Sequence, residues 1–223
     1  MTVTDTLRLV LAPPHPAGHR FLVGGGVVFL LGLLVAHWLA WLALLFVLFC
    51  LFFFRDPERV PPSRAGLALA PADGRVLMVT PAAPPVELGL GDAPRWRVSI
   101  FLSVLNVHVN RMPVEGTVTR AAYHHGKFLN ASLDKASAEN ERNALAVRLA
   151  DGRDIAVVQI AGLIARRIVC DVREGSPVRA GERFGIIRFG SRTDLYLPEG
   201  VHPLVTVGQT MIGGETVIAD LNA

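Results

Sequence analysis

A continuous apolar run near the N-terminus constrains the fold more than any other feature of the sequence. Residues 21–54 read FLVGGGVVFLLGLLVAHWLAWLALLFVLFCLFFF and contain no Asp, Glu, Lys or Arg. As one helix the run would be about 51 Å long at ~1.5 Å per residue, whereas the hydrocarbon core of a bilayer is ~30 Å thick. We therefore predict a tight membrane hairpin of two short helices that turns near His37 and Trp38. One long, tilted helix is the alternative.

Basic residues flank this run on both sides and predict its orientation. Arg8 and Arg20 precede it, and Arg55, Arg59 and Arg64 follow it. A hairpin with both ends on the cytoplasmic side satisfies the positive-inside tendency, whereas a single span would leave one basic flank outside. A cleaved signal peptide is not expected, because the run is too long and lacks a small-residue cleavage site.

Net charge and cysteine content limit the partners and the compartment that the chain predicts. The formal net charge is +3, and no dense basic run with interleaved aromatic residues occurs, so a nucleic-acid partner is not expected. The two cysteines, Cys50 and Cys170, lie in different parts of the chain and do not indicate a disulfide framework. We expect the bulk of the protein on the cytoplasmic side of the cell (inner) membrane, where a mildly basic domain suits an anionic surface.

After the apolar run the sequence predicts a mainly β (β-rich α+β) domain. Short strand-like segments such as WRVSIFLSV and RFGIIRFG alternate with turn dipeptides, including Asp73-Gly74, Glu115-Gly116 and Asp151-Gly152. Asp151-Gly152 lies between two apolar segments and predicts a β-hairpin. The predicted organisation is an N-terminal cytoplasmic segment, a membrane hairpin, a proline-containing linker and the β-rich domain, at residues 1–20, 21–54, 55–66 and 67–223.

Metal and nucleotide sites are not predicted. His124 and His125 are adjacent, so on an extended segment they point to opposite sides, and no nearby carboxylate completes a ligand set. The glycine-rich signatures of phosphate-binding loops do not occur.

The segment FGIIRFGSRTDLYLPEG, residues 184–200, interrupts a strand pattern with Gly190-Ser191. A plain turn explains this, but so does a self-cleavage site. A serine can attack the preceding carbonyl in an N-to-O acyl shift, and a glycine before it reaches strained conformations and leaves the carbonyl uncrowded. Gly175-Ser176, which a proline follows, provides an internal comparison and predicts an ordinary turn.

Six segments in the same order resemble the phosphatidylserine decarboxylase family, in its short form with a Gly-Ser-Arg motif. GERFGIIRFGSRTDLYLP resembles the cleavage segment of that family, and PADGRV, FLSVLNVHVNRMPVEG and QIAGLIARRIV resemble segments that precede it. FFFRDPER is similar to the family's exit from its anchor, and HHGKFLNASLDKASAENERN to its long loop. Archaetidylserine decarboxylases share much of this pattern and differ in the lipid backbone.

The resemblance implies cleavage between Gly190 and Ser191. It gives a β subunit of residues 1–190 and an α subunit of residues 191–223, held as a heterodimer with or without further oligomerisation. Ser191 becomes a covalent pyruvoyl group, which forms a Schiff base with the substrate amine and acts as an electron sink. The implied reaction converts phosphatidylserine into phosphatidylethanolamine and CO₂ at the membrane, without a metal.

The resemblance also implies roles for His108 and Asp73. His108 matches the first histidine of the long-form HxxHxP pattern, which is linked to decarboxylation, and Asp73 matches the aspartate of the self-cleavage triad. The pattern here reads HVNRMP, so Arg111 stands at the second histidine of that triad. The cleavage base stays open. The first expectation is that His108 serves decarboxylation only, and the alternative is that it is the missing base. A turn aspartate and a core histidine are the simpler interpretations.

Three cations are candidates for substrate binding on charge alone. Arg111, Lys127 and Arg192 could contact the phosphodiester or the carboxylate of the lipid, although Lys127 could equally be a solvated loop charge. A different class of function also fits the pattern. The turns PxxGxV and VRAGxxFG resemble lipoyl-like or barrel-sandwich modules, so the domain could be a non-catalytic membrane adaptor with that fold.

Overall fold

The computed structural model describes residues 12–133, 136–162, 167–188 and 190–222. Between Glu58 and Arg59 the chain divides into two compact units. The division falls inside the linker predicted at residues 55–66. The two units are described separately below.

The first unit contains a helical hairpin. After a 3₁₀ turn at Pro16–Gly18, helix α1 (His19–Val35) and helix α2 (His37–Phe53) are joined by Ala36 in an extended conformation. The helices run antiparallel and approach closely at glycines, since a Cβ built on Gly32 would lie 2.6 Å from the Ala40 nitrogen. Small residues permit this kind of close packing between apolar helices. The bend lies one residue before the predicted turn.

The outward faces of these helices are apolar. Exposed side chains include Leu34, Val35, Trp38 and Trp41. By length and composition the stretch Pro16–Val35 could cross a membrane, and α2 is a shorter apolar helix of 17 residues, about 26 Å long. Exposed apolar helices of this length favour a lipid environment.

The second unit confirms the mainly β prediction. Its strands, in chain order, are β1 (Leu67–Leu69), β2 (Gly74–Ala82), β3 (Arg95–Leu102), β4 (Val109–Arg111), β5 (Gly116–His124), β6 (Arg142–Arg148), β7 (Asp154–Ile160), β8 (Ile168–Cys170), β9 (Pro177–Val178), β10 (Arg183–Ile187), β11 (Ser191–Tyr196), β12 (Thr210–Met211) and β13 (Val217–Asp220). A 3₁₀ turn at Val86–Leu88 and the short helix α3 (Ala136–Glu139) lie between strands.

These strands form three antiparallel sheets. The largest has eight strands in the order β12-β2-β3-β11-β7-β6-β5-β9. A three-stranded sheet has the order β4-β10-β8, and β1 pairs with β13. The predicted hairpin at Asp151-Gly152 is confirmed, because it joins β6 to β7 in antiparallel register and Gly152 has a φ of +87°.

The path of the chain from β10 to β11 positions the candidate site. Strand β10 belongs to the three-stranded sheet, whereas β11 lies between β3 and β7 inside the eight-stranded sheet. All six residues of β11 are buried. The Gly190-Ser191 junction therefore lies where the chain passes from one sheet into the centre of another, with hydrogen-bonded strands on both sides of the segment that follows it.

Candidate active site

The Gly190-Ser191 junction combines a constrained backbone with a hydroxyl that makes no hydrogen bond to the described residues. Gly190 has a φ of +67°, a left-handed conformation that residues with a Cβ rarely adopt. Ser191 is fully buried, and its Oγ has no hydrogen-bond partner among the described residues. Leaving a buried hydroxyl unpaired costs about 1–3 kcal/mol. Such a group is available for chemistry, because no existing hydrogen bond must break before the oxygen attacks.

Gly175-Ser176 behaves as the predicted ordinary turn. Gly175 also has a positive φ, of +83°, but Ser176 is only partly buried. Its Oγ accepts a hydrogen bond from the Arg173 amide at 3.2 Å. The two Gly-Ser pairs therefore share a backbone type and differ in burial and in the use of the hydroxyl.

His108 lies against the backbone of the junction. Its Nδ1 is 2.9 Å from the carbonyl oxygen of Asn106, which can only accept, so Nδ1 carries the proton. Nε2 then presents a lone pair, and it accepts the Gly190 N–H at 3.3 Å. The ring is fully buried. Nε2 is therefore the basic nitrogen of the ring, and once its hydrogen bond to the Gly190 amide breaks it can accept a proton within one residue of the bond predicted to break.

Local structure holds this histidine in place. The Asn106 side chain accepts hydrogen bonds from the amide and the hydroxyl of Ser103, which closes a tight turn immediately before β4. The carbonyl of His108 accepts the Ile187 amide at 3.4 Å, at the end of β10. Consequently the turn sets the tautomer, and the strand pairing sets the distance from His108 to the junction.

Gly162 lies against the carbonyl of the same junction. A Cβ built on Gly162 would be 2.2 Å from the oxygen and 3.2 Å from the carbon of Gly190. Real Cβ atoms do not approach oxygen so closely. Only glycine at this position leaves room for the carbonyl that Ser191 would attack. Sequence patterns did not point to this residue, although a glycine close to an apolar strand often marks a close backbone approach.

Asp73 directly precedes β2 and is level with the start of β11, because Arg75 and Arg192 both pair with Phe101 of β3. Its Oδ2 is 2.7 Å from Nη2 of Arg59, and its Oδ1 accepts the Gly213 amide at 2.8 Å. Strand β2, which starts after Asp73, is separated from β11 by β3. Two strand spacings of about 4.8 Å place its backbone roughly 10 Å from that of β11. The structure thus shows Asp73 bracing a turn, and its role in cleavage stays a prediction.

Arg192 lies in a buried polar network on the opposite face of β11 from Ser191. Its guanidinium donates to both carboxylate oxygens of Asp194, at 2.6 and 2.8 Å, and to Oγ of Ser99 at 3.0 Å. It also donates to the carbonyl of Leu133 at 3.1 Å. Residues two apart on a strand share a face, so the spacing of Arg192 and Asp194 contained a signal for this pair that charge alone did not reveal.

The other two candidate cations have protein partners as well. Nη1 of Arg111 donates to the carbonyl of Gly181 at 2.9 Å, and the side chain is buried. Nζ of Lys127 lies 2.9 Å from the carboxylate of Glu139, and this pair is exposed to solvent. The described contacts bring His108 to the Gly190 amide, next to Ser191. Contacts from the three cations to substrate stay predictions.

The cysteine outside the helices is a poor alternative nucleophile. Burial raises the pKa of the Cys170 thiol, and the nearby Asp171 carboxylate also raises it. The thiol therefore stays protonated at neutral pH, and the thiolate is the reactive form.

A buried serine after a left-handed glycine, with a histidine lone pair at the same backbone, defines a candidate self-processing site in a mainly β domain. The family model for phosphatidylserine decarboxylase matches residues 46–219. Relatives named phosphatidylserine decarboxylase proenzyme are 73% identical in Granulibacter bethesdensis and 65% identical in Gluconacetobacter diazotrophicus. These matches cover 99% of this chain and 91% and 100% of the two relatives. The chain belongs to the phosphatidylserine decarboxylase family.

Proposed function

We propose that this chain is a self-processing, pyruvoyl-dependent decarboxylase that converts phosphatidylserine into phosphatidylethanolamine and CO₂ at a membrane. The observation that supports it most is the Ser191 hydroxyl, buried and unpaired directly after Gly190, in a chain of this family. A non-catalytic adaptor would not need a buried, unpaired serine hydroxyl at this position. An archaetidylserine substrate would need the same headgroup chemistry, and the relatives reported above are named for phosphatidylserine.

Self-cleavage would begin with Ser191 Oγ attacking the carbonyl carbon of Gly190. The hydroxyl proton passes to Nε2 of His108, which returns it to the departing amide nitrogen, and an ester replaces the peptide bond. Removal of the Ser191 Cα proton then expels the ester oxygen, which becomes the carboxylate of Gly190. Water hydrolyses the resulting dehydroalanine, and ammonia leaves. The products are a piece of residues 1–190 and a piece of residues 191–223 that begins with a ketone.

The residues present at this position fit a pyruvoyl group. Ser191 supplies the atoms, and its burial at the start of β11 keeps bulk water away. Once formed, the ketone would condense with the substrate amine and accept the electron pair that departing CO₂ leaves behind. We propose that His108, once protonated on Nε2, donates a proton to the product carbon, because Nε2 contacts the Gly190 amide next to Ser191.

The architecture would keep the two pieces together after cleavage. Strand β11 belongs to the smaller piece and is hydrogen-bonded on both sides to strands of the larger one, β3 and β7. The Arg192 guanidinium adds buried hydrogen bonds to Ser99 and Leu133, which also belong to the larger piece. We therefore propose that Arg192 fixes the new N-terminus, in addition to its predicted contact with substrate, and that the active species is a heterodimer.

The helical hairpin would anchor the enzyme to its substrate. Its exposed apolar faces favour lipid, and the basic flanks predict that both ends are cytoplasmic. With this orientation in a bacterial cell, the β-rich domain would lie on the cytoplasmic side of the inner membrane. Confinement to the surface in which the substrate lies raises its effective concentration.

A comparison of the full chain with a variant that lacks residues 1–54 tests this function. Both are supplied with carboxyl-labelled phosphatidylserine, either in vesicles or as a short-chain, water-dispersed form. We expect both proteins to cleave and to release labelled CO₂ from the dispersed lipid, with phosphatidylethanolamine as the product. On vesicles the truncated chain should be at least tenfold slower, because it has lost the anchor. No CO₂ from the full chain on either lipid would contradict the function. A truncated chain that folds but stays uncut would show that the hairpin belongs to the cleavage machinery.

The space at Gly162 gives a second test. Gly162→Ala should slow self-cleavage by about 10²-fold or more, because the new Cβ displaces the attacked carbonyl and small misplacements of reacting groups are costly. Pulse-chase labelling followed by a denaturing gel measures the rate. Gly116→Ala is the matched control, since its Cβ would lie 2.4 Å from the carbonyl oxygen of Arg148, at a distant part of the sheet. Equal slowing in both variants would mean that strain in the fold, and not the junction, limits cleavage.

A further inference from the structure

A row of three buried amide side chains, joined by hydrogen bonds, connects the two larger sheets. Nδ2 of Asn143 donates to Oε1 of Gln159 at 3.0 Å, and Nε2 of Gln159 donates to Oδ1 of Asn110 at 2.8 Å. Gln159 and Asn110 are fully buried, and Asn143 nearly so. Asn143 and Gln159 lie on β6 and β7 of the eight-stranded sheet, and Asn110 lies on β4 of the three-stranded sheet.

One backbone carbonyl fixes the orientation of these amide groups. Nε2 of Gln159 also donates to the carbonyl oxygen of Val169 at 3.3 Å, and a carbonyl can only accept. Gln159 must therefore turn its nitrogen toward Val169 and Asn110. Asn110 consequently accepts with Oδ1 and is left with Nδ2 as a donor. That nitrogen is buried and has no hydrogen-bond partner among the described residues.

Two more unpaired groups lie in the same layer, which is the layer of side chains on the face of the eight-stranded sheet that carries Gln159. Thr193 is directly opposite Gln159 in the pairing of β11 with β7, and its buried Oγ1 has no partner in the described part of the chain. Ser191 lies two residues earlier, so its side chain is on the same face, about 6.6 Å along the strand. Buried polar groups in folded proteins almost always have partners. Unpaired groups at Ser191, Thr193 and Asn110 in one layer thus indicate a place for a polar ligand.

We infer that Nδ2 of Asn110 and Oγ1 of Thr193 bind the carboxylate of the serine headgroup. This inference rests on the proposed function and identifies the part of the substrate that binds to this layer. The carboxylate is attached to the carbon that carries the reacting amine, so it must lie within a few ångströms of the Ser191 position. Both groups can donate a hydrogen bond to a carboxylate oxygen.

The neutrality of these donors suits the chemistry. Loss of CO₂ removes the negative charge from the carboxylate, so a cation at this place would stabilise the ground state more than the transition state. Arg192 is on the opposite face of β11, paired with Asp194. The layer that holds Ser191 instead offers an amide and a hydroxyl, which can orient the carboxylate without a full charge.

Binding measurements on cleaved enzyme test this site separately from turnover. The ketone of the cleaved full chain is first reduced with borohydride, which stops the reaction. Calorimetry then compares glycerophosphoserine with glycerophosphoethanolamine, which differ only in the carboxylate. We expect Thr193→Val and Asn110→Asp each to weaken binding of glycerophosphoserine roughly tenfold, and to leave glycerophosphoethanolamine within about twofold. Thr193→Ser, which keeps the hydroxyl, should bind like the wild type.

Thr119→Val is the matched control, because it removes a strand hydroxyl that donates to the carbonyl of Ala146. Thr119 lies on β5, three strands away from β11. It should change neither affinity. Equal weakening for both ligands by Thr193→Val would assign the layer to the phosphate and overturn the inference. Unchanged affinities for both ligands would overturn it as well. A wild-type chain that is never cleaved would contradict the proposed function and this site together, whereas cleaved variants with unchanged ligand preference would contradict the site alone.

Discussion

Ser191→Ala should accumulate as an uncut, folded chain without decarboxylase activity. The substitution removes the oxygen that attacks Gly190, so neither the ester nor the ketone can form. Stability should be retained, because the Ser191 hydroxyl has no hydrogen-bond partner to lose in the described structure. Relieving an unpaired buried hydroxyl can even stabilise the fold by about 1 kcal/mol. A denaturing gel gives the cleavage state, and thermal unfolding by circular dichroism gives the stability.

Ser176→Ala is the matched control for this experiment. It changes the other Gly-Ser pair, where the hydroxyl only caps a turn through the Arg173 amide. This variant should be cut and should release CO₂ at the wild-type rate. Two fragments from Ser191→Ala would place the cleavage site elsewhere in the chain.

His108→Ala should also accumulate as an uncut chain. The hydrogen bond from the Gly190 amide to Nε2 places the basic nitrogen of His108 at the junction, which favours the alternative in which His108 is the missing cleavage base. Loss of an acid-base group typically slows a reaction by ~10²- to 10⁴-fold, so maturation should take hours to days if the wild type matures in minutes. Timed sampling after synthesis, scored by mass spectrometry, measures this rate.

The control for His108 is His125→Ala, because the His125 side chain is 90% exposed and its ring nitrogen lies 3.8 Å from the Glu141 carboxylate. It should mature normally. A His108→Ala chain that is cut at the wild-type rate, and then releases little CO₂, would restore the first expectation from the sequence. In that outcome His108 serves decarboxylation alone, and another group takes the Ser191 proton.

Local patterns were sufficient to predict the elements around the site. Turn dipeptides and short apolar segments indicated the mainly β domain, and an apolar run longer than one bilayer span indicated a hairpin. The same local information left Gly190-Ser191 open between a plain turn and a cleavage site, and only the resemblance to a known family favoured cleavage. The resemblance to a known family then added His108, which no local pattern separates from a core histidine.

Contacts between distant segments could not be predicted in the same way. Nothing local shows that β10 and β11, which follow each other closely in sequence, belong to different sheets. The contact between Gly162 and the Gly190 carbonyl and the bond between Asn110 and Gln159 depend on that change of sheet. For Arg192 the sequence did contain a local signal of an ion pair, since Asp194 lies two residues away on the same strand face. Its charge alone had instead predicted a contact with the substrate.

The most direct test of self-processing at Ser191 is the intact mass of the purified wild-type chain under denaturing conditions. The account predicts two species, residues 1–190 with a free carboxylate at Gly190 and residues 191–223 with a blocked N-terminus. The smaller species should be lighter than a serine-initiated piece by the mass of ammonia, because the ketone replaces the amine. A single full-length mass, or a smaller piece that still begins with serine, would contradict the formation of a pyruvoyl group at this site.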